Sequence, residues 1–318
     1  MRAAIYRDTQ VLLEERPDPT PGPGQLLVRV HASALNRADL LQRKGRYPAP
    51  PGWPADIGGL EYAGAVESLG SGVTRWKTGD RVMGLVGGGG HAEYVVVHEE
   101  EALAVPGKLS WIEAAAIPEA FLTAWDALTT RGRLQRGERV LLHAAASGVG
   151  TAAIQIAHQL GATVLGTSRS PEKLTKLQVL GLDIAIDTSS RGFREQITDP
   201  VDLIVDPLGA PAFMDNLSLL ALQGRLVLLG FLQGSRAEQV ELDLILRKRL
   251  TVVGTVMRSR PLEERRAIAR EYREHLLPQF EGGVLRPVVG DVTRMTEINA
   301  AHALMELNET FGKVVLTW

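Results

Sequence analysis

Seven residues in a row, Ala144-Ala145-Ala146-Ser147-Gly148-Val149-Gly150, carry the clearest chemical signal in the chain. Small side chains let a backbone come close to a phosphate, and a helix starting there offers unpaired N–H groups and a partial positive charge. Against the spacing G-x-G-x-x-G, Ala145 and Ser147 replace the first two glycines and only Gly150 is kept. An ordinary strand-to-helix turn accounts for that much equally well. The setting favours a nucleotide: Val140-Leu141-Leu142-His143 reads as a strand, and Ala153, Ile156, Ala157 and Leu160 keep helical spacing after the turn. Ser147, Gly148, Val149 and Gly150 are therefore the expected pyrophosphate contacts.

The following strand reads out the kind of nucleotide. NAD enzymes commonly end it in a carboxylate that holds the ribose 2′-hydroxyl. Here it ends in Gly166-Thr167-Ser168-Arg169, with no acid before Glu172. A 2′-phosphate is repelled by a carboxylate and held by a guanidinium fork and hydroxyls. Ser168, Arg169 and, one helical turn on, Lys173 supply those groups, so NADPH is expected over NADH. A cation at a helix start is unfavourable against the dipole, which argues against a purely structural Arg169.

These groups need a sheet to position them. Near-continuous apolar runs at 162–166, 184–186, 201–205, 226–229 and 250–256, separated by helical stretches, predict a parallel sheet buried on both faces. Gly161 marks one helix end and Ser170-Pro171 the next helix start. The first third reads differently: short apolar segments at 26–30, 63–66, 81–86 and 94–97, broken by Pro, Gly and Asp, predict a barrel. A charged helix over 261–276, a strand over 284–292, a helix near 299–307 and a last strand at 313–316 are expected to return to that first domain. The predicted domains are 1–117, completed by 261–318, and 118–260. The last apolar run of the parallel sheet has an unpaired edge in a monomer, which predicts a twofold homodimer.

Composition narrows the function classes. A chain of 318 residues with 45% hydrophobic and 23% charged residues suits two soluble domains sharing a cleft. A net charge of -2 gives no electrostatic case for nucleic acid or a membrane. The basic triplet Arg247-Lys248-Arg249 reads as a solvated helix end. With no cysteine, thiolate nucleophiles, disulfides and cysteine-held zinc are ruled out. The N-terminal residues lack the pattern of a secretory signal, and a cytoplasmic location is the expectation.

Several segments together are more specific than the turn: Ala34-Leu35-Asn36-Arg37-Ala38-Asp39-Leu40, Gly59-Leu60-Glu61-Tyr62-Ala63-Gly64, Ala116-Ile117-Pro118-Glu119-Ala120, residues 147–155 and Gly312-Lys313-Val314-Val315. On these the chain resembles the medium-chain dehydrogenase/reductase superfamily over nearly its whole length, within it the zinc-free quinone oxidoreductases and particularly their p53-inducible branch. The resemblance implies an α/β fold: a GroES-like β-barrel catalytic domain, a Rossmann domain with strand order 3-2-1-4-5-6, and a cleft between them. Zinc-dependent members carry a ligand Cys and a G-H-E-x-x-G segment, and the matching positions here are Asn36 and Leu60. An amide and an isobutyl group do not replace a thiolate and an imidazole around zinc, so no metal site is expected and Glu61 reads as a structural carboxylate.

The same resemblance implies that Asn36 and Tyr47 lie near the nicotinamide and Thr123 near its ribose or phosphates. Gly230, Phe231, Met257 and Ser259 follow the fifth and sixth sheet strands, and Lys313 reaches the cofactor from the returning tail. Where this branch has a tyrosine contact, the chain has Thr188. The activity implied is hydride transfer from NADPH to a quinone, a small-molecule acceptor needing little acid–base help. Two alternatives stay open: an enone or enoyl-thioester reductase with Tyr47 as proton donor, and a crystallin-like NADPH-binding protein without catalysis. Pro48 biases Tyr47 toward an extended backbone that projects its side chain, though its ring also has Trp53 nearby in sequence to pack on.

Overall fold

The computed structural model describes residues 1–318. The chain divides into two compact units, Met1–Leu122 with Met257–Trp318, and Thr123–Val256.

The first unit opens with a hairpin, β1 (Arg2–Arg7) and β2 (Gln10–Glu15). The central strand β3 (Gln25–Leu35) alternates buried and exposed residues along its first half, as a strand covering a core on one face must. The short helix α1 (Arg37–Arg43) follows, then β4 (Glu61–Leu69), β5 (Arg81–Leu85), β6 (Tyr94–His98) and β7 (Leu103–Ala104). β3 pairs antiparallel with both β4 and β6, and β4 continues through β5 to β7. Leu26, Val28, Val30, Tyr62, Val66, Val82, Val95 and Val97 meet in the core this makes. Helices α2 (Trp111–Ala115) and α3 (Pro118–Trp125) lead out of the unit.

The second unit is the expected doubly wound sheet. Its elements are β8 (Arg139–Leu142), α4 (Gly148–Gln159), β9 (Thr163–Ser168), α5 (Pro171–Gln178), β10 (Ile184–Asp187), β11 (Val201–Asp206), α6 (Ala210–Leu219), β12 (Leu220–Leu228), α7 (Leu242–Lys248) and β13 (Thr251–Gly254). All five pairings are parallel and the spatial order is β10-β9-β8-β11-β12-β13, which is 3-2-1-4-5-6 in chain order. Ser147 and Ser170 cap α4 and α5, each accepting a bond from an N–H three residues on, and Pro171 occupies the first turn of α5. At the end of α7, Lys248 is more than a solvated charge: its ammonium donates to the carbonyls of Ser218 and Leu220, both at 2.8 Å.

The tail completes the first unit with α8 (Leu262–Glu271), α9 (Leu277–Glu281), β14 (Val289–Arg294), α10 (Ile298–Glu306) and β15 (Lys313–Thr317). β15 pairs with β3 from Val314 opposite Leu35 to Thr317 opposite Ala32. Two expectations change here. The strand expected over 284–292 begins only at Val289, because Pro287 has no N–H to give a ladder. The helix expected over 261–276 changes winding at Tyr272–Leu276, where Pro278 cannot return a bond to Glu274 and the ladder widens to an i→i+5 pattern. No helix is long and apolar enough to cross a membrane.

Candidate active and cofactor-binding residues

In the second unit the turn after β8 is built for close approach. Ala144 takes a left-handed φ of 50°, and the N–H of Ala145 donates to the Thr167 carbonyl at 3.0 Å, tying the turn to the end of β9. A Cβ on Gly150 would stand 2.4 Å from the Ala145 carbonyl oxygen, so this one surviving glycine of the motif is required by the turn's own backbone. The Ser147 hydroxyl accepts from Gly150 N–H at 3.1 Å. The N–H groups of Gly148 and Val149 open the helix with no carbonyl a turn earlier to receive them, the state in which a helix start binds an anion.

At the end of β9, Ser168 Oγ accepts from Ser170 N–H at 3.1 Å, and Ser170 Oγ accepts from Lys173 N–H at 3.3 Å. Arg169 lies exposed between them, and Lys173 is half-buried on the first turn of α5. Thr188 joins the same place, its N–H donating to the Ser168 carbonyl at 2.9 Å. Ser168, Arg169 and Lys173 are thus grouped at one strand end. Gly230 and Phe231 follow β12, with the Phe231 ring 57% exposed and lying over Gly209. Thr123, on α3, is buried, and its hydroxyl has no partner within the protein.

Beneath these loops runs a buried polar chain that the sequence pattern does not reveal. Asp206 Oδ1 accepts from Leu208 N–H at 2.6 Å and Oδ2 from the Asn216 amide at 3.1 Å. Asn216 Oδ1 meets His143 Nε2 at 2.8 Å, and His143 Nδ1 meets Thr167 Oγ1 at 3.1 Å. The chain links the C-terminal ends of β8, β9 and β11. Burial holds His143 below the ordinary histidine range, and satisfied buried networks of this kind rigidify what they support.

In the first unit the residues drawn from the family segments form a second cluster. Glu61 is fully buried at the start of β4. Its Oε1 accepts from Lys313 Nζ at 2.6 Å and from the Asn36 amide at 2.8 Å, and its Oε2 accepts from Glu119 N–H at 2.8 Å. Lys313, only 5% exposed, also donates to Asn36 Oδ1 at 2.6 Å and to the Leu35 carbonyl at 3.1 Å. Three acceptors satisfy the three N–H groups of an ammonium. Lys313 therefore has a different occupation from the cofactor contact expected of it, and Glu61 is the structural carboxylate its neighbours suggested. The ring partner of Tyr47 is Arg258, its guanidinium 5.0 Å from the ring centroid, while Trp53 lies against Gly87 and under Arg265. Met257 also departs from expectation: its side chain is buried with Leu85, Leu103, Leu122 and Ile268 around a small void of about 20 Å³, whereas Ser259 is exposed. Apolar Met257 has the sequence position of a loop residue but the partners of a core one.

Glu119 has no cation of its own, since Lys313 is committed to Glu61. Burial, reinforced by the Glu61 carboxylate, pushes the Glu119 carboxyl up to about 8. Its folded-state value lies above the unfolded one near 4.5, so its contribution to stability is fully present below about pH 4.5 and lost as pH rises toward 8. The slope in that window is on the order of 1.4 kcal/mol per pH unit for one proton. Glu119→Gln is expected to match the wild type in urea unfolding near pH 4.5 and to exceed it increasingly up to about pH 8. The buried histidines His91 and His302, held low by burial, contribute equally to both proteins and cancel in the difference. Parallel stability profiles for the two proteins would contradict the assignment.

Residues 22–107 match the family described as alcohol dehydrogenase GroES-like domain, and residues 148–272 the family described as zinc-binding dehydrogenase. Quinone oxidoreductase-like protein 2 of Bos taurus is 31% identical, with 99% of this chain and 92% of that protein covered. Its homolog in Nematostella vectensis is 31% identical over 93% of this chain and 82% of that protein. A mycocerosic acid synthase-like polyketide synthase of Mycolicibacterium smegmatis is 38% identical over 216 residues, and there the match spans 10% of the larger protein. The structure of the quinone oxidoreductase from Thermus thermophilus, solved alone and with NADPH, superimposes with a TM-score of 0.87, 35% identity and full coverage of both chains. The CurK enoyl reductase superimposes with a TM-score of 0.85 at 28% identity, with 99% of each chain covered.

The chain belongs to the medium-chain dehydrogenase/reductase superfamily, in its quinone oxidoreductase-like family. It is an oxidoreductase of that family, and the family implies a nicotinamide cofactor. The residues present fit one: the turn of 144–150 offers N–H donors at a helix start, and its crowded Gly150 keeps the backbone bare.

Proposed function

We propose that this protein transfers hydride from NADPH to a quinone without a metal. The observation that carries the reading is the end of β9, where Ser168 and an exposed Arg169 stand in place of a carboxylate. Similarity to the Thermus thermophilus quinone oxidoreductase, whose structure was solved with NADPH, supports the same choice. Gly148 and Val149 hold the pyrophosphate through their N–H groups, Ser147 and Gly150 shape the turn, and Arg169 with Ser168 and Lys173 grips the 2′-phosphate. Thr123 turns its unpartnered hydroxyl to the cofactor, and Gly230 and Phe231 border it. Bound NADPH supplies the hydride. Asn36, fixed by Lys313 and Glu61, gives the nicotinamide end a rigid amide. The Tyr47 hydroxyl donates a hydrogen bond to the acceptor oxygen as negative charge develops there.

A second reading has its own support. Tyr47 lies within the electrostatic reach of Glu119, which holds its proton at neutral pH, and enoyl reductases are among the similar structures. A phenol beside an uncharged acid suits proton delivery to the α-carbon of an enone or enoyl thioester. Measuring NADPH oxidation with ortho-quinones, enones and enoyl thioesters decides between them. Fast turnover of quinones alone supports the first reading, and preferred turnover of the activated alkenes supports the second. Tight NADPH binding without turnover of any would make the protein a binder.

We also propose a twofold homodimer. β13 is the edge of its sheet, and around it Leu242, Leu246 and Val256 are 70%, 78% and 51% exposed. Exposed apolar edges invite pairing, and β13 meeting its own copy antiparallel continues the sheet. Light scattering at micromolar concentration is expected to give twice the 34.5 kDa chain mass. Monomer mass at that concentration would refute it.

A further inference from the structure

Arg258 is 5% exposed, and a guanidinium is costly to bury unless its N–H groups are met. Here they are met by neutral oxygens: Nε donates to the Gly87 carbonyl at 2.7 Å, Nη1 to the Tyr47 carbonyl at 2.8 Å, and Nη2 to Gln42 Oε1 at 2.6 Å. The same group lies 5.0 Å from the centroid of the Tyr47 ring. One side chain thus grips the Tyr47 loop by its backbone and sets a positive charge against the face of its phenol. A neutral residue of similar shape, such as methionine, would fill the space at less desolvation cost, so the charge asks for a reason beyond packing.

We propose that Arg258 is a positioning residue for Tyr47, fixing the phenol's orientation and holding a cation against its ring for the step in which the hydroxyl serves the acceptor. This rests on the proposed role of Tyr47. In reduction of an enone, NADPH gives a hydride to the β-carbon and is oxidised to NADP⁺. The electron pair of the C=C bond takes a proton at the α-carbon from the Tyr47 hydroxyl, and water restores the proton to the phenolate. A cation over the ring favours the phenolate that forms. Burial and Glu119 hold the Tyr47 phenol above the ordinary tyrosine range, and Arg258 opposes them.

The test is a double-mutant cycle on the full chain, with methyl vinyl ketone and a simple ortho-quinone as acceptors. Tyr47→Phe is expected to lower kcat for the enone at least tenfold and for the quinone by a smaller factor, less than tenfold. Arg258→Met is expected to lower enone kcat about tenfold in the Tyr47 protein and less than twofold in the Tyr47→Phe protein, leaving NADPH affinity unchanged. Arg258→Lys, which keeps the charge but not the fork, is expected to recover part of the loss. Gln42→Leu, which frees one guanidinium N–H without removing the cation, gives a milder version and serves if Arg258→Met does not fold. Equal losses in both Tyr47 backgrounds would make Arg258 a scaffold residue and overturn the proposal alone. Wild-type enone rates in Tyr47→Phe would overturn the reading of Tyr47 and this proposal with it.

Discussion

Lys313→Met is expected to lower the unfolding free energy by about 3–5 kcal/mol, the usual cost of breaking a buried ion pair from one side. Lys313 and Glu61 meet at 2.6 Å with 5% and 0% of their side chains exposed, so solvent screens little of the interaction. Removing the ammonium leaves the Glu61 carboxylate buried and also strips Asn36 Oδ1 and the Leu35 carbonyl of their donor. The stranded carboxylate keeps its backbone and amide donors but loses the cation that offset its burial. Lys313→Met combined with Glu61→Gln is expected to recover part of the loss, since it removes the stranded charge while the single amide oxygen still accepts from one of the two donors, the Asn36 amide or Glu119 N–H. Urea unfolding of the wild type and both variants measures this. A loss below about 1 kcal/mol, the range of an exposed pair, would show that the pair is not holding β4, β15 and α3 together.

Arg169→Ala is expected to weaken NADPH at least tenfold and leave NADH within twofold. A charge-assisted bond contributes on the order of 1.5–3 kcal/mol, and a tenfold change in affinity corresponds to about 1.4 kcal/mol. Arg169 is exposed and free of carboxylate partners on its own strand end, so its guanidinium needs no prior contact broken before it meets a phosphate. Exposure also means screening, and the difference is expected to shrink as salt is raised. Titration of the two cofactors into wild type and variant reads it directly. Equal losses for both cofactors would assign Arg169 to the fold.

How much of this is legible in the sequence depends on how local the cause is. The parallel sheet reads from its apolar runs because a strand buried on both faces has no polar alternation to hide it. The turn of 144–150 and the cap Ser170 read equally well, since each is fixed by residues within three or four places. Glu61 was legible as structural only by subtraction, from the missing zinc ligands around it. Its actual partner, Lys313, stands 252 residues away, and no local pattern predicts that pairing. The raised Glu119 is equally hidden, because its burial and its closeness to the Glu61 carboxylate are set by tertiary packing. Arg258 and Met257 show the limit most plainly. They follow the last parallel strand and read as loop residues, yet one is a buried clamp on Tyr47 and the other a core side chain. Side-chain destination in an irregular segment is set by tertiary neighbours alone.

A single-turnover experiment tests the proposed hydride transfer from NADPH. Protein loaded with NADPH, or with NADPH carrying deuterium at the transferred C4 position, is mixed rapidly with an ortho-quinone and with methyl vinyl ketone, and NADPH loss is followed. NADPH oxidation is expected with at least one acceptor, slowed about twofold or more by the label, and with the enone, deuterium is expected at the β-carbon of the product. NADPH that stays bound and reduced with both acceptors, or oxidation with no isotope effect and no label in the product, would contradict it.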